Sequence, residues 1–391
     1  MTPQARAQAA IELLDAIIAA AREGGAAADT LIARYFATRR YAGSKDRRAV
    51  RELIYAAIRR AGAVPVSGRA ALLALAQDDP ALATLFDGSP HAPAPIAPGE
   101  PIAPAGIAPD WLVAALVRSG VSADEHAALV ARAPLDLRVN PARATPEQVR
   151  AALPEAAPIA GLPQALRLPH GTPVESLDLY RAGAFEVQDA GSQIVSLAAE
   201  ARGQAVIDLC AGAGGKTLAL AAEGAGPLLA CDVDRARLAR LAPRAERAGI
   251  AVETRLLDPG REAAALADWR GRAGVVVIDA PCSGSGTWRR NPEARWRLTP
   301  ARLDRLIATQ ARLLALAPPL VRPGGALLYI TCSLLDAEGA GQVARFLAAH
   351  PEWRAEPLAL PLGAAHGPGW RLTPARDSTD GFFVARLRAP C

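Results

Sequence analysis

The chain has 391 residues, of which 51% are hydrophobic and 21% charged, and it carries a net charge of +5. That length suffices for two or three domains with sizeable cores, and no apolar run approaches the ~20 residues that span a bilayer. The five cysteines form no Cys-x-x-Cys pair and the five histidines fall at no ligand spacing, which argues against a disulfide framework or a metal site and for a reducing, cytoplasmic setting. Met1-Thr2-Pro3-Gln4-Ala5-Arg6 lacks the basic-then-apolar layout of a secretory signal.

Residues 1–87 read as helical. Ile11, Leu14 and Ile18, then Val50, Ile54, Ala57 and Ile58, recur at helical spacing, and Ser44-Lys45-Asp46 fits a helix start. Between Arg34 and Arg60 nine basic residues face two acidic ones, the electrostatic footprint of a nucleic-acid partner. Residues 88–109, with seven prolines among small residues, fit a linker or surface excursion. Residues 110–185 read as a helical connector followed by a small α+β subdomain, with Leu135–Asn140 alternating like a strand.

From residue 186 to the end, strands alternate with helices. Strands are expected over 205–209, 227–231, 251–257, 274–279, 326–331 and 381–388, the last as an edge strand. This pattern implies a mostly parallel sheet of about seven strands covered on both faces. No internal repeat is present.

After the first of these strands comes a glycine-rich turn, Cys210-Ala211-Gly212-Ala213-Gly214-Gly215-Lys216. Glycines there let backbone approach a ligand, and the following helix offers free N–H groups. The spacing is neither Gly-x-Gly-x-x-Gly nor a Walker loop, so a dinucleotide or a triphosphate fits poorly. Asp232 ends the next strand 18 residues after Gly214, placed to bind ribose hydroxyls. Asp258 ends the strand after that and is a candidate for the adenine edge. S-adenosyl-methionine suits this arrangement best.

Two thiols follow strand ends, in Asp279-Ala280-Pro281-Cys282-Ser283 and Thr331-Cys332-Ser333. Methylating a pyrimidine at C5 requires a nucleophile to add first at C6. A thiolate suits this because it attacks well and also leaves readily. Asp279 is placed to bond the N3/N4 edge of the ring, and Lys216 to stabilise charge in the same pocket. No histidine falls in these motifs, which argues against Ser-His or Cys-His hydrolysis. Cys210 and Cys231, in or beside apolar strands, read more readily as packing residues, although the Cys210 backbone belongs to the turn. Cys391 has no evident role.

The two cysteine motifs and the turn Asp208–Lys216 resemble those of the bacterial Sun/RsmB-like RNA cytosine-C5 methyltransferases. Leu137-Arg138-Val139-Asn140 and Gln188-Asp189-Ala190-Gly191-Ser192 resemble the family's RNA-side subdomain and the lead-in to its core. Ser44–Arg48 with Arg51-Glu52-Leu53-Ile54 resembles its NusB-like N-terminal domain. The resemblance implies a Rossmann-like class I methyltransferase sheet preceded by a small α+β RNA-binding subdomain and an all-α NusB-like domain. It implies Cys332 as nucleophile and Cys282 as the residue assisting release, whereas the Pro-Cys motif of DNA enzymes would make Cys282 the attacker. Gly212-Ala213 stands where the family usually has Ala-Pro, which bears on cofactor affinity. The implied reaction is methylation of cytosine in RNA, 16S ribosomal RNA foremost, with transfer RNA methylation or a non-catalytic assembly role as alternatives. Arg47, Arg48, Arg138, Asn140, Arg289, Arg290 and Arg295 are candidate RNA contacts, with Arg297 beside them. A monomer without metal or membrane association is expected.

Overall fold

The computed structural model describes residues 1–391 and divides into two compact units, one of Met1–Ala131 with Thr287–Thr299 and the other of Arg132–Gly286 with Pro300–Cys391. The helical unit is built on α1 (Pro3–Glu23), α2 (Ala28–Ala37), α3 (Ser44–Arg60) and α4 (Gly68–Asp78). Thr2 caps α1 by accepting the Ala5 N–H at 3.1 Å, Pro3 occupies its first turn, and Gly24 ends it in the left-handed region at φ +77°. The apolar stripes foreseen on α1 and α3 form the core, with Ile11, Leu14, Ile54 and Ile58 all buried.

The proline-rich segment is pinned to this unit. Ala103 N–H donates to Ala70 O at 3.1 Å, Gly106 N–H to Arg60 O at 3.0 Å, and Arg69 pairs with Glu100 at 2.7 Å. Residues 287–299 also belong here. Trp296 is buried in the helical core, and its ring N–H donates to Ala61 O at 3.2 Å.

The second unit holds two sheets. The smaller is antiparallel, ordered β2–β3–β1–β4, from β1 (Leu135–Val139), β2 (Ala157–Ile159), β3 (Leu162–Leu168) and β4 (Phe185–Val187). Buried Glu186 on β4 accepts from Arg244 at 2.8 Å and from Arg247, tying this sheet to the helix Leu241–Ala248.

The larger sheet contains β5 (Val206–Asp208), β6 (Leu228–Asp232), β7 (Glu253–Leu256), β8 (Ala273–Asp279), β9 (Val321–Thr331), β10 (Arg354–Ala355), β11 (Ala364–His366), β12 (Gly369–Leu372) and β13 (Phe382–Arg388). Its order is β11–β12–β13–β9–β8–β5–β6–β7, with β10 on β13. Strands β5 to β9 are mutually parallel, and β13 runs antiparallel to β9. The Rossmann-like class I sheet is therefore present, with nine strands in place of about seven. Strand β13 lies inside the sheet, because the short hairpin β11–β12 extends it further. The chain runs β5 to β6 to β7 and then returns to β8 on the other side of β5. That reversal is the switch point at which such sheets open a crevice at their carboxyl ends.

Candidate active site

Adjacent parallel strands deliver the two thiols to one place. Asp279 on β8 is in register with Ile330 on β9, and the Ala280 N–H donates to Ile330 O at 2.9 Å. Cys282 and Cys332 follow within three and two residues of that rung, so both loops leave the sheet at the same edge. Their sulfurs lie 3.4 Å apart. Gly286 N–H donates to Cys332 O at 3.0 Å and Gly286 O accepts the Gly381 N–H at 2.8 Å, so backbone holds the loops together.

Both thiols line a cavity of about 420 Å³ that also touches Cys210, Asp232, Leu257 and Asp279. These residues follow or end β5, β6, β7, β8 and β9, the carboxyl edge of the parallel strands. The cavity's far wall comes from the helix Pro300–Leu316, which presents Thr309, Arg312 and Leu313.

Four of the expected catalytic side chains converge. Lys216, in the first turn of the helix Gly215–Ala222, reaches Asp279 at 2.7 Å and lies 5.2 Å from the centre of the Phe382 ring. Burial alone would lower the Lys216 pKa, but the charges of Asp279 and Cys332 outweigh it and raise the pKa. The Cys282 thiol is pushed well up by its hydrogen bond to Cys332, by burial, and by the negative charges of Cys332 and Glu338. The Cys282 thiol therefore holds its proton tightly.

The glycine turn is built as a cradle. Gly212 and Gly214 have φ of +55° and +86°, and an added Cβ would meet Arg237 at 2.5 Å and Leu241 at 2.1 Å respectively. Asp232 accepts the Gly212 N–H and the Asp234 N–H, each at 2.7 Å, so its two oxygens are oriented with lone pairs to spare. Asp208, buried behind the turn, accepts the Thr217 hydroxyl at 2.7 Å, and burial raises its pKa to about 6. Among the expected cofactor residues, Cys210, Asp232 and Asp279 line the cavity, and Ala211–Gly215 form the turn behind it. Asp258 is exposed and off the lining; Leu257 and Glu262 occupy that corner. Burial pushes the Cys231 thiol up to about 12, which fits its place in the core.

Several expected RNA contacts are corrected. Arg295 is wholly buried and donates to Pro292 O at 2.6 Å, Ile58 O at 2.6 Å, Arg59 O at 3.2 Å and Ala61 O at 3.0 Å. It closes the ends of α3 and of its own loop. Burial pulls its pKa down to about 9, still charged at neutral pH. Arg297 donates to Gly25 O at 2.7 Å and Ala26 O at 2.5 Å. Arg138 is buried against Gln188 at 2.7 Å, and Asn140 donates to Gly183 O and Ala248 O at 3.2 and 2.9 Å. Arg289 is buried too and Arg290 half-buried, whereas Arg47 and Arg48 remain exposed on α3.

Sequence reasoning missed Glu338. It is fully buried and bonds both cysteine loops, through Ser283 N–H at 2.8 Å and the Ser333 hydroxyl at 2.6 Å. Its only signal was a carboxylate six residues beyond Cys332, in a stretch without periodicity.

Comparison with known proteins agrees with this geometry. Residues 195–388 match the family described as 16S rRNA methyltransferase RsmB/F. The ribosomal RNA small subunit methyltransferase B of Thermus thermophilus is 40% identical over 211 residues, 54% of this chain and 51% of that protein. That of Xanthomonas campestris is 38% identical over 262 residues, 65% of this chain and 60% of that protein. The chain thus spans between half and three-fifths of the length of these relatives. The crystal structure of PH0851 superposes over 99% of both chains with a TM-score of 0.75 at 24% identity, a likeness of fold. Residues 195–388, the two-thiol domain, are thus an RsmB/F methyltransferase domain.

Proposed function

We propose that this chain transfers a methyl group from S-adenosyl-methionine to C5 of a cytosine in RNA, with small-subunit ribosomal RNA as the substrate. The observation that carries the proposal is the 3.4 Å approach of Cys282 and Cys332 at the mouth of a cavity lined by Asp232 and Asp279. The residues fit the cofactor. The cavity's size lies in the range of ligand pockets, roughly 300–1,000 Å³. Asp232 retains lone pairs for two ribose hydroxyls, Val233 and Leu257 offer apolar walls for the base, and the cradle at Gly212 and Gly214 tolerates no Cβ. When bound, S-adenosyl-methionine supplies an electrophilic methyl group on a sulfonium.

The chain's own groups divide the remaining work. A base inside a stacked helix cannot reach two thiols at once, so the substrate is an extruded or single-stranded cytosine. The Cys332 thiolate adds to C6, forming the C–S bond and moving the electron pair of the C5–C6 double bond toward the N3 side of the ring. C5 thereby becomes nucleophilic. Asp279 accepts from the exocyclic amine while Lys216 offsets its charge. Once Cys332 is bonded to carbon, Cys282 loses both the hydrogen-bond partner and the neighbouring charge that held its pKa up. Its proton passes to solvent, and the resulting thiolate takes the C5 proton. The C6–S bond then breaks, returning the electron pair to sulfur 332 and restoring the aromatic ring.

The names of the curated relatives support ribosomal over transfer RNA, and the exposed Arg47 and Arg48 supply sequence-independent attraction. The protein is read as cytoplasmic and monomeric. The test is incorporation of labelled methyl groups into small-subunit ribosomal RNA, with bisulfite sequencing to identify the base. Incorporation into transfer RNA alone would move the substrate, and none into any RNA would leave a binding role.

A further inference from the structure

Glu338 makes three hydrogen bonds from a position with no solvent exposure. Its Oε1 accepts the Ser283 N–H at 2.8 Å and the Gln310 side-chain amide at 3.0 Å, and its Oε2 accepts the Ser333 hydroxyl at 2.6 Å. Ser283 follows Cys282, and Ser333 follows Cys332. One carboxylate therefore grips the residue after each thiol. The anchor is itself fixed, because the Tyr329 hydroxyl on β9 donates to the Glu338 carbonyl at 2.7 Å. Gln310 is also locked: it donates to Pro281 O at 3.0 Å and accepts from Gln342 at 3.1 Å.

A network made only to staple two loops could be neutral. The hydroxyls of Ser283 and Ser285 already sit 3.1 and 3.2 Å from that of Ser333. Burying a carboxylate among neutral donors costs several kcal/mol unless its bonds are well made. Charged acceptors give the shorter, more directional bonds that precise placement needs.

We infer that Glu338 is a positioning residue, whose single carboxylate fixes the separation of the two thiols by holding the loop behind each. The inference rests on the reading of Cys282 and Cys332 as a working pair. The same negative charge bears on Cys282 and helps keep the resting proton there. Glu338 touches neither thiol and acts through Ser283 and Ser333.

Two variants of the full chain test this, with folding checked by thermal melting. Glu338→Gln keeps the shape and the Oε1 acceptor but removes the charge. Glu338→Ala removes the grip. In the wild type, phenylarsine oxide bridges sulfurs held this close, as read by peptide mass mapping, and Cys282 alkylates slowly with iodoacetamide at pH 8. Glu338→Ala is expected to weaken bridging more than about tenfold, and Glu338→Gln to speed Cys282 alkylation about tenfold, the effect of one pKa unit. In methyl transfer, Glu338→Ala is expected to lower kcat by about 10²-fold, the cost of an ångström-scale misplacement, with KM for RNA unchanged. Bridging and alkylation within twofold of wild type in folded variants would overturn the inference. If Glu338→Ala does not fold, unchanged Cys282 alkylation in Glu338→Gln overturns it alone. The thiol assays need neither RNA nor cofactor, so a wild type inactive on every RNA would defeat the proposed function without deciding this one.

Discussion

Gly214→Ala probes what the cofactor turn requires of its sequence. At φ +86° an alanine side chain crowds its own carbonyl, which costs about 1–2 kcal/mol. Its Cβ would also lie 2.1 Å from Leu241 Cδ1, and Leu241 is fully buried among Leu218, Ala230 and Ala245, so it cannot swing aside. Overpacking of this kind adds about 1–3 kcal/mol. The sum, about 2–5 kcal/mol, lowers Tm on the order of 5–15 °C for a unit of this size. The neighbouring Gly215 is an internal control: it opens the helix Gly215–Ala222, its φ is not positive, and an added Cβ meets nothing within 4 Å. Gly215→Ala should be neutral or stabilising by about 0.5–1 kcal/mol. Paired urea and thermal denaturation of both variants checks the contrast. A Gly214→Ala protein within about 1 kcal/mol of Gly215→Ala would refute the reasoning about this turn.

Lys216→Ala should reduce kcat about 10²-fold by leaving Asp279 without its cation, read by single-turnover methyl transfer. Arg295→Ala should destabilise the helical unit by at least about 3 kcal/mol, because several buried carbonyls lose their donor, while leaving the salt dependence of RNA binding unchanged. Arg48→Ala should do the reverse, lowering the slope of log affinity against log salt by about one with no change in Tm; Arg47→Ala should lower the slope likewise, with a small fall in Tm from losing its bond to Ala42 O. Asp208 has its pKa raised from 3.8 to about 6, so the fold holds its proton more tightly than the unfolded chain does. That contribution, about 3 kcal/mol, is complete below pH 4 and lost as pH rises through 6. Urea midpoints of Asp208→Asn should lack this fall between pH 4 and 6.

Strands β5, β6, β8 and β9 were legible because buried parallel strands read as short apolar runs, and their ends announced the turn, the two carboxylates and the two thiols. What made those residues a site, the rung pairing Asp279 with Ile330, is a property of strand order that no local pattern carries. The hairpin β11–β12 was hidden because its residues, Ala364–His366 and Gly369–Leu372, lack β-branched runs, and β13 was therefore misread as an edge. Arg295 misled because residue type reports charge, not the carbonyls waiting at the end of α3. Glu338 was invisible for the converse reason: an isolated carboxylate in a loop reads as solvated unless the donors that bury it are known.

The central claim is that sulfur 332 attacks and sulfur 282 completes the turnover. Each single cysteine-to-alanine protein, incubated with RNA and S-adenosyl-methionine and run on a denaturing gel, tests it most directly. Cys282→Ala should trap a slow-migrating protein–RNA species and Cys332→Ala should show none, whereas a trapped species in Cys332→Ala alone would reverse the assignment and contradict the account.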